Sequence, residues 1–194
     1  TMELRDDSAA RTHLIGSLTL TEPRRDKLAF YHDVLRDWGI GNYIDEDHNR
    51  FAKTNVTVPA SPWVARGVEF AARLSLEKSD DGNRWLNLLD RFSPAGAHSS
   101  WRRHALLAIV RSEVADDLLE RCSGALLARG GALFTELVTV IAAVDTISTE
   151  ELYTSMEVKT SKPVPKSFRT NITGTGYRLL KWVLAHRVEI PIHA

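Results

Sequence analysis

His32 and Asp33 stand where the apolar run Leu28-Ala29-Phe30-Tyr31 gives way to Val34, Leu35 and Trp38 at helical spacing. A strand passing into a helix at this point sets an imidazole beside a helix N-terminus. Unsatisfied amides and the positive end of the helix dipole make such a place a ready holder of anions and phosphates. Asp33 reads as the N-cap, its carboxylate accepting from a first-turn amide. The chemistry open to the pair is phosphate recognition; the alternative is a histidine at a strand end, bonded locally and serving no ligand.

Other reactive side chains lack company. His48 lies among Asp45, Glu46 and Asp47, but no second ligand set at metal-site spacing goes with it, and a solvated turn is the reading. Cys122 falls on an apolar stripe without a neighbouring histidine, as a core thiol does. Arg24, Arg25 and Lys27 are diluted by Glu22 and Asp26 and read as a solvated turn rather than a nucleic-acid contact. Arg102-Arg103-His104 is the densest basic step and reads as a solvated or salt-bridged helix start. Gly174-Thr175-Gly176 is a fragment of a dinucleotide fingerprint with no strand leading into it. The chain contains no G-x-x-x-x-G-K-[ST], G-x-S-x-G, H-E-x-x-H or C-x-x-C, so by itself it is not expected to be a catalyst.

The elements that position these residues follow from periodicity and punctuation. His13 to Leu20 and Leu28 to Tyr31 read as two strands joined by the turn Thr21 to Lys27. The helix from Asp33 runs to about Asp45, with Gly39 and Gly41 each costing it about 1 kcal/mol relative to alanine. Ser61-Pro62 starts another, to about Glu77. Trp85 to Phe92 form a shorter helix and Ser99-Ser100 precede a longer one. Val114 to Leu127 continue at helical spacing until Gly130-Gly131 supplies a left-handed cap, and Leu133 to Val144 make the next helix. Trp63, Trp85 and Trp101 recur near helix starts, as packing residues. Serial helix pairs of this kind predict an α-α superhelical, HEAT- or armadillo-like array of about 40 residues per repeat. Residues 1–50 then form one module and residues 51–194 the helical region. A loop or insertion near 154–173 is marked by Lys159, Lys162, Pro163, Pro165 and Lys166, before Tyr177 resumes a helix.

The 25 basic and 25 acidic residues cancel, so no global field recruits nucleic acid or an anionic membrane. No apolar run in the sequence reads as a membrane span, and Thr1 to Asp7 lack a signal-peptide pattern. The single cysteine fits a reducing compartment, and a cytoplasmic protein is expected. Thr1 ahead of Met2, and a last helix without a polar capping repeat, are read as signs of a longer protein.

The segment Phe30 to Trp38, a short strand ending in His-Asp ahead of Val34-Leu35-Arg36-Asp37, resembles the His-Asp motif that closes the winged-helix domain of STAND-class P-loop NTPases, the group that includes NACHT and NB-ARC proteins. The likeness covers about eleven residues and is supported by the order hairpin, His-Asp helix, helical array. Tyr31 before the histidine, and the glycines at 39 and 41, depart from the commonest pattern. The resemblance implies that His32 contacts the β-phosphate of bound ADP and locks a resting state, while Asp33 caps and orients the helix. ADP or ATP would be a cofactor only with an NTPase core preceding Thr1. The helical region would take a protein partner or trigger, the active form would be a homo-oligomer, and defence against phage is a setting by resemblance alone. A winged-helix DNA-binding regulator and a stand-alone helical scaffold are the competing readings.

Overall fold

The computed structural model describes residues 8–24, 27–46, 54–155, 169–171 and 173–190. Among them the chain is mainly α-helical with a short β-hairpin near its start. Helix α1 (Ser8–Gly16) precedes the hairpin β1 (Leu20–Arg24) and β2 (Lys27–Phe30), and α2 (Asp33–Glu46) follows. Then come α3 (Pro62–Glu77), α4 (Asn83–Arg91), α5 (Ser99–Arg111), α6 (Ala115–Arg121) and α7 (Ser123–Val144). The strands β3 (Thr146–Ser148) and β4 (Arg169–Asn171) pair antiparallel, with α8 (Thr149–Ser155) after β3, and α9 (Thr175–Ala185) closes the order.

Of the strand expected from His13 to Leu20, His13 to Gly16 are instead the end of α1, and only Leu20 is in a strand. Ser8-Ala9-Ala10-Arg11 supply helix-compatible residues ahead of Leu14 and Ile15, and a short apolar run alone does not choose between strand and helix. The helix ends in a Schellman motif, with the Thr19 amide donating to Leu14 O at 3.0 Å and the Leu18 amide to Ile15 O at 3.1 Å. The first strand therefore begins at Leu20, and the hairpin register pairs Leu20 with Phe30 and Thr21 with Ala29. A register shift between Thr21 and Arg24 accommodates Pro23, which has no amide to give the ladder. Arg11 pairs with Glu22 and ties α1 to the hairpin.

The core centres on α5. Ala105 to Val110 are all buried, so this stretch of the helix is apolar on every side and lies inside the bundle. Around it pack α3, α4, α6, α7 and α9, while α2 packs on α3. Ile44 of α2 shares one apolar cluster with Val68, Leu76, Trp85, Leu106, Leu119, Leu126, Leu137 and Trp182. Burying each such side chain stabilises the fold by roughly 1.5–3 kcal/mol.

Gly39 and Gly41, read from the sequence as weak points, sit within one uninterrupted helix. A Cβ on Gly41 would lie 2.8 Å from Phe70 Cβ, so the glycine allows α2 and α3 to cross closely. The continuous helix expected from Val114 to Leu127 is divided. Ser112 is extended at the end of α5, α6 stops at Arg121, and Cys122 lies between α6 and α7. The left-handed residues expected at Gly130-Gly131 are present, with φ of 70° and 78°. They break α7, which is otherwise long and apolar enough to cross a membrane by length and composition. A break at mid-helix frees backbone groups that hydrocarbon cannot satisfy. Within the stretch 154–173, β4 pairs with β3, and residues 156–168 with their lysines and prolines lie outside the described residues.

Candidate functional site

The hairpin delivers the chain to His32 by extending its ladder, the Tyr31 amide donating to Thr19 O at 3.1 Å. The first intrahelical bond of α2 then runs from the Arg36 amide to the carbonyl of His32 at 3.2 Å. The cap position therefore falls on His32, one residue earlier than expected, and Asp33 is the first helical residue. Its carboxylate accepts from Arg36 Nη1 at 2.7 Å. The correction has a simple cause: a guanidinium one turn along offers a stronger, charged donor than a first-turn amide. His32 is exposed and meets the Tyr31 ring edge-on, with centroids 4.7 Å apart.

Arg36 is fixed from three sides. Besides Asp33 it donates to Asp37 Oδ1 through Nε at 3.1 Å and Nη2 at 2.8 Å, and its guanidinium lies 4.3 Å from the centroid of the Trp63 ring. Trp63 is more than half exposed, whereas Trp85 and Trp101 are buried and donate to Ala105 O and Val58 O at 3.0 and 2.8 Å. The packing reading holds for the latter two. Tyr31, Val34 and Trp38 are also exposed, so an apolar surface flanks His32.

A cleft of about 590 Å³ opens between α2, α3 and α5, lined by Asp37, Ala60, Pro62, Ala65, Arg66, Glu69, Phe70, Arg73, His104 and Arg111. The segment before α3 forms one wall, held to α5 by the Ala60 amide donating to Ser100 Oγ at 3.0 Å. Glu69 is the hinge of the charge arrangement, accepting from Arg73 Nη2 at 2.8 Å and Arg111 Nη1 at 2.9 Å. Arg111 continues to the buried carboxylate of Asp145, which also accepts from Thr175 Oγ1 at 3.0 Å. Burial works against the charge of Arg111, but Asp145 and Glu69 outweigh it and raise its pKa above the ordinary guanidinium value. His104 is driven the other way. Desolvation, then the nearby charge of Arg103, lower its pKa from the usual histidine value against the pull of Glu69.

Asp45 organises a second cluster at the far end of α2. Burial would raise its pKa, yet hydrogen bonds from Lys78 at 2.7 Å, Ser75 at 2.9 Å and Arg84 at 3.1 Å hold it below the ordinary carboxylate value.

The structure thus separates the residues singled out by the sequence. Arg102 is a structural cation, bonded to Glu136 at 2.7 and 2.9 Å and to Leu89 O at 3.1 Å, as the salt-bridged reading expects. His104, two residues further along α5, lines the cleft. Cys122 is buried, with its thiol pushed up to about 11 by desolvation. Lys27 begins β2 and is exposed, whereas Arg25 and His48 lie outside the described residues. The cleft itself escaped notice in the sequence. Its one legible signal was Arg66, Glu69 and Arg73 at spacings of three and four, which puts them on one face of α3.

Among known proteins, no family model and no curated sequence matches this chain.

Proposed function

We propose that this chain is the regulatory and sensor part of a STAND-class signalling NTPase, in which His32 reports bound ADP and the helical region receives a protein partner or trigger. The observation that carries the reading is the junction itself: a short strand, an exposed imidazole at the cap position, and a helix whose first turn lies beside it. A phosphate approaching that turn would meet the positive end of the α2 dipole and a ring nitrogen together. The exposed Tyr31, Val34 and Trp38 around His32 suit a face that meets another domain. On α9 the exposed Tyr177, Leu180 and Leu184 form an apolar stripe for a partner.

In this reading the chain carries no catalytic residues of its own, works in the cytoplasm, and holds ADP or ATP only jointly with a P-loop core. Losing a contact made only in the ADP state shifts the population toward the open, oligomeric form. The test is His32→Ala in the full-length protein, with retained ADP measured after desalting and oligomeric state by light scattering. Loosened ADP and easier assembly are expected. Unchanged ADP retention and unchanged assembly would sink the proposal.

A further inference from the structure

The charges beside the α9 stripe say what kind of partner it fits. Arg178 donates to Ser112 O at 2.7 Å, Lys181 is bonded to Asp116, and His186 Nε2 lies 3.3 Å from Glu120 Oε2. These contacts step along α9 and along the stretch Ser112 to Glu120 in the same order, so α9 and α6 run side by side and parallel. Away from that seam Tyr177, Leu180 and Leu184 are each more than half exposed, and Val188 just past the helix extends them. Large apolar side chains at i, i+3 and i+7, spread over about 10 Å, are the pattern by which one helix meets another. The backbone of α9 is spent on its own hydrogen bonds, so an occupant of the stripe must satisfy its backbone internally, as a helix does.

The α6 side of the stripe is acidic. Glu113, Asp116, Asp117 and Glu120 are all exposed, and no lysine or arginine interrupts them before Arg121. Lys181 answers Asp116 and His186 faces Glu120, but among the described residues Glu113 and Asp117 have no cation against them. Asp116 and Asp117 suit the start of α6, whereas Glu120 in its last turn opposes the helix dipole. Like charges three and four residues apart repel one another, a cost that cations from outside would remove. The sign of the row disfavours an anionic bilayer and nucleic acid. A second copy would bring the same four acids to the contact.

We propose that α9 and the flank of α6 dock a basic amphipathic helix of a protein partner, its apolar side chains on Tyr177, Leu180 and Leu184 and its lysines or arginines over the acidic row. This deepens the reading of α9 as a partner face and rests on that reading, not on the nucleotide role of His32.

The probe is a labelled peptide of about 18 residues, five helical turns, with leucines on one face and lysines on the other, followed by fluorescence anisotropy with the whole chain. Saturable one-to-one binding is expected, at least tenfold tighter than for a twin with glutamates in place of the lysines and for a scrambled peptide of equal composition. Leu180→Ser with Leu184→Ser should weaken it tenfold or more, and Tyr177→Ser alone several-fold. Glu113→Gln with Asp117→Asn should weaken it at least threefold and flatten its salt dependence. These five side chains are exposed, so circular dichroism should stay native, and Val58→Ser, at an exposed valine before α3, should bind as the native chain does. Absence of saturation, equal binding of the glutamate twin or the scrambled peptide, or native binding by the leucine variant overturns the proposal. So does a dimer in light scattering that the leucine variant abolishes, which assigns the stripe to a second copy, or binding to phosphatidylglycerol vesicles that it abolishes, which assigns it to a membrane. Peptide binding should be unchanged in His32→Ala, and unchanged ADP retention in that variant, which sinks the nucleotide reading, leaves this result standing.

Discussion

A methyl group built on Gly67 of α3 would stand 2.1 Å from Cγ2 of Ile40 and 2.6 Å from its Cβ, so the two helices meet where one of them has no side chain. The neighbouring Gly41 makes the reciprocal approach to Phe70 and to the carbonyl of Gly67. This double contact brings α2 onto α3 and so places the His32 junction and the cleft wall relative to the core.

Gly67→Ala is expected to destabilise the chain by about 1–3 kcal/mol, because neither Ile40 Cβ nor the backbone behind it can yield cheaply. Gly124→Ala is the contrasting substitution. No atom lies within 4 Å of a Cβ there, and the helix should gain up to about 1 kcal/mol. Urea midpoints of the two variants check the pair; equal shifts in either direction would contradict the close-crossing account.

That crossing also marks where reading the sequence succeeds and stops. The helix starts at Ser61-Pro62 and after Asp81-Gly82 follow from local chemistry, and local chemistry is visible in one chain. Gly39 and Gly41 carry the same letters whether they weaken a helix or admit a partner, and only the position of Phe30 and Phe70 decides. The cleft was hidden for a similar reason. Arg66, Glu69 and Arg73 are adjacent on α3, but Asp37 and Arg111 come from other helices at separations that no local pattern encodes. His32 was legible as a junction because strand, cap and helix are contiguous, and only its register slipped, by one residue.

Leu18 adopts φ 57°, the left-handed position of the Schellman motif that ends α1. An L-residue other than glycine costs roughly 1–2 kcal/mol there, and the side chain is more than half exposed, so little packing is lost on removing it. Leu18→Gly should raise the thermal midpoint. A lowered midpoint would show instead that Leu18 makes an apolar contact worth more than its backbone strain.

Arg111→Ala should be among the costliest single changes. Among the described residues it leaves Asp145, which is 1% exposed, with only Thr175 facing its charge, and it removes half of the Glu69 pairing. Breaking one side of a buried ion pair costs about 3–5 kcal/mol. Asp45→Asn should cost less, because Lys78 and Arg84 both reach solvent and can hydrate. Chemical denaturation of the two variants orders them; a larger loss for Asp45→Asn would reverse this ranking of the networks.

Two acid-side windows follow from the same charges. His104 has a folded pKa below the unfolded 6.5, so the unfolded chain takes up the proton first. Stability is then lost as pH falls from about 6.5 through the folded value. His104→Gln should flatten the stability profile between about pH 7 and 5. Asp45 has a folded pKa below 3.8, so its contribution is present above that value and is lost as pH falls through the folded one. Asp45→Asn should lower stability throughout the range above that value and change the pH slope only on this lower limb. Denaturant midpoints measured from about pH 7 to 3 separate the two, and a His104→Gln chain that keeps the native slope above about pH 5 would remove the histidine from the account.

Cys122 lies beneath Gly82, whose φ of 71° and 2.6 Å clearance from a built Cβ to the sulfur leave room for no other residue. With its pKa at about 11, the buried thiol is ionised to about one part in a thousand at pH 8. Reaction with a disulfide reagent is therefore expected to await unfolding, and to run at least a hundredfold slower in buffer than in denaturant. Gly82→Ala combines a strained left-handed position with a clash against the sulfur, and should both destabilise the start of α4 and speed that labelling. Rapid stoichiometric modification of the native chain would show that α6 opens far more readily than its buried Leu118 and Leu119 imply.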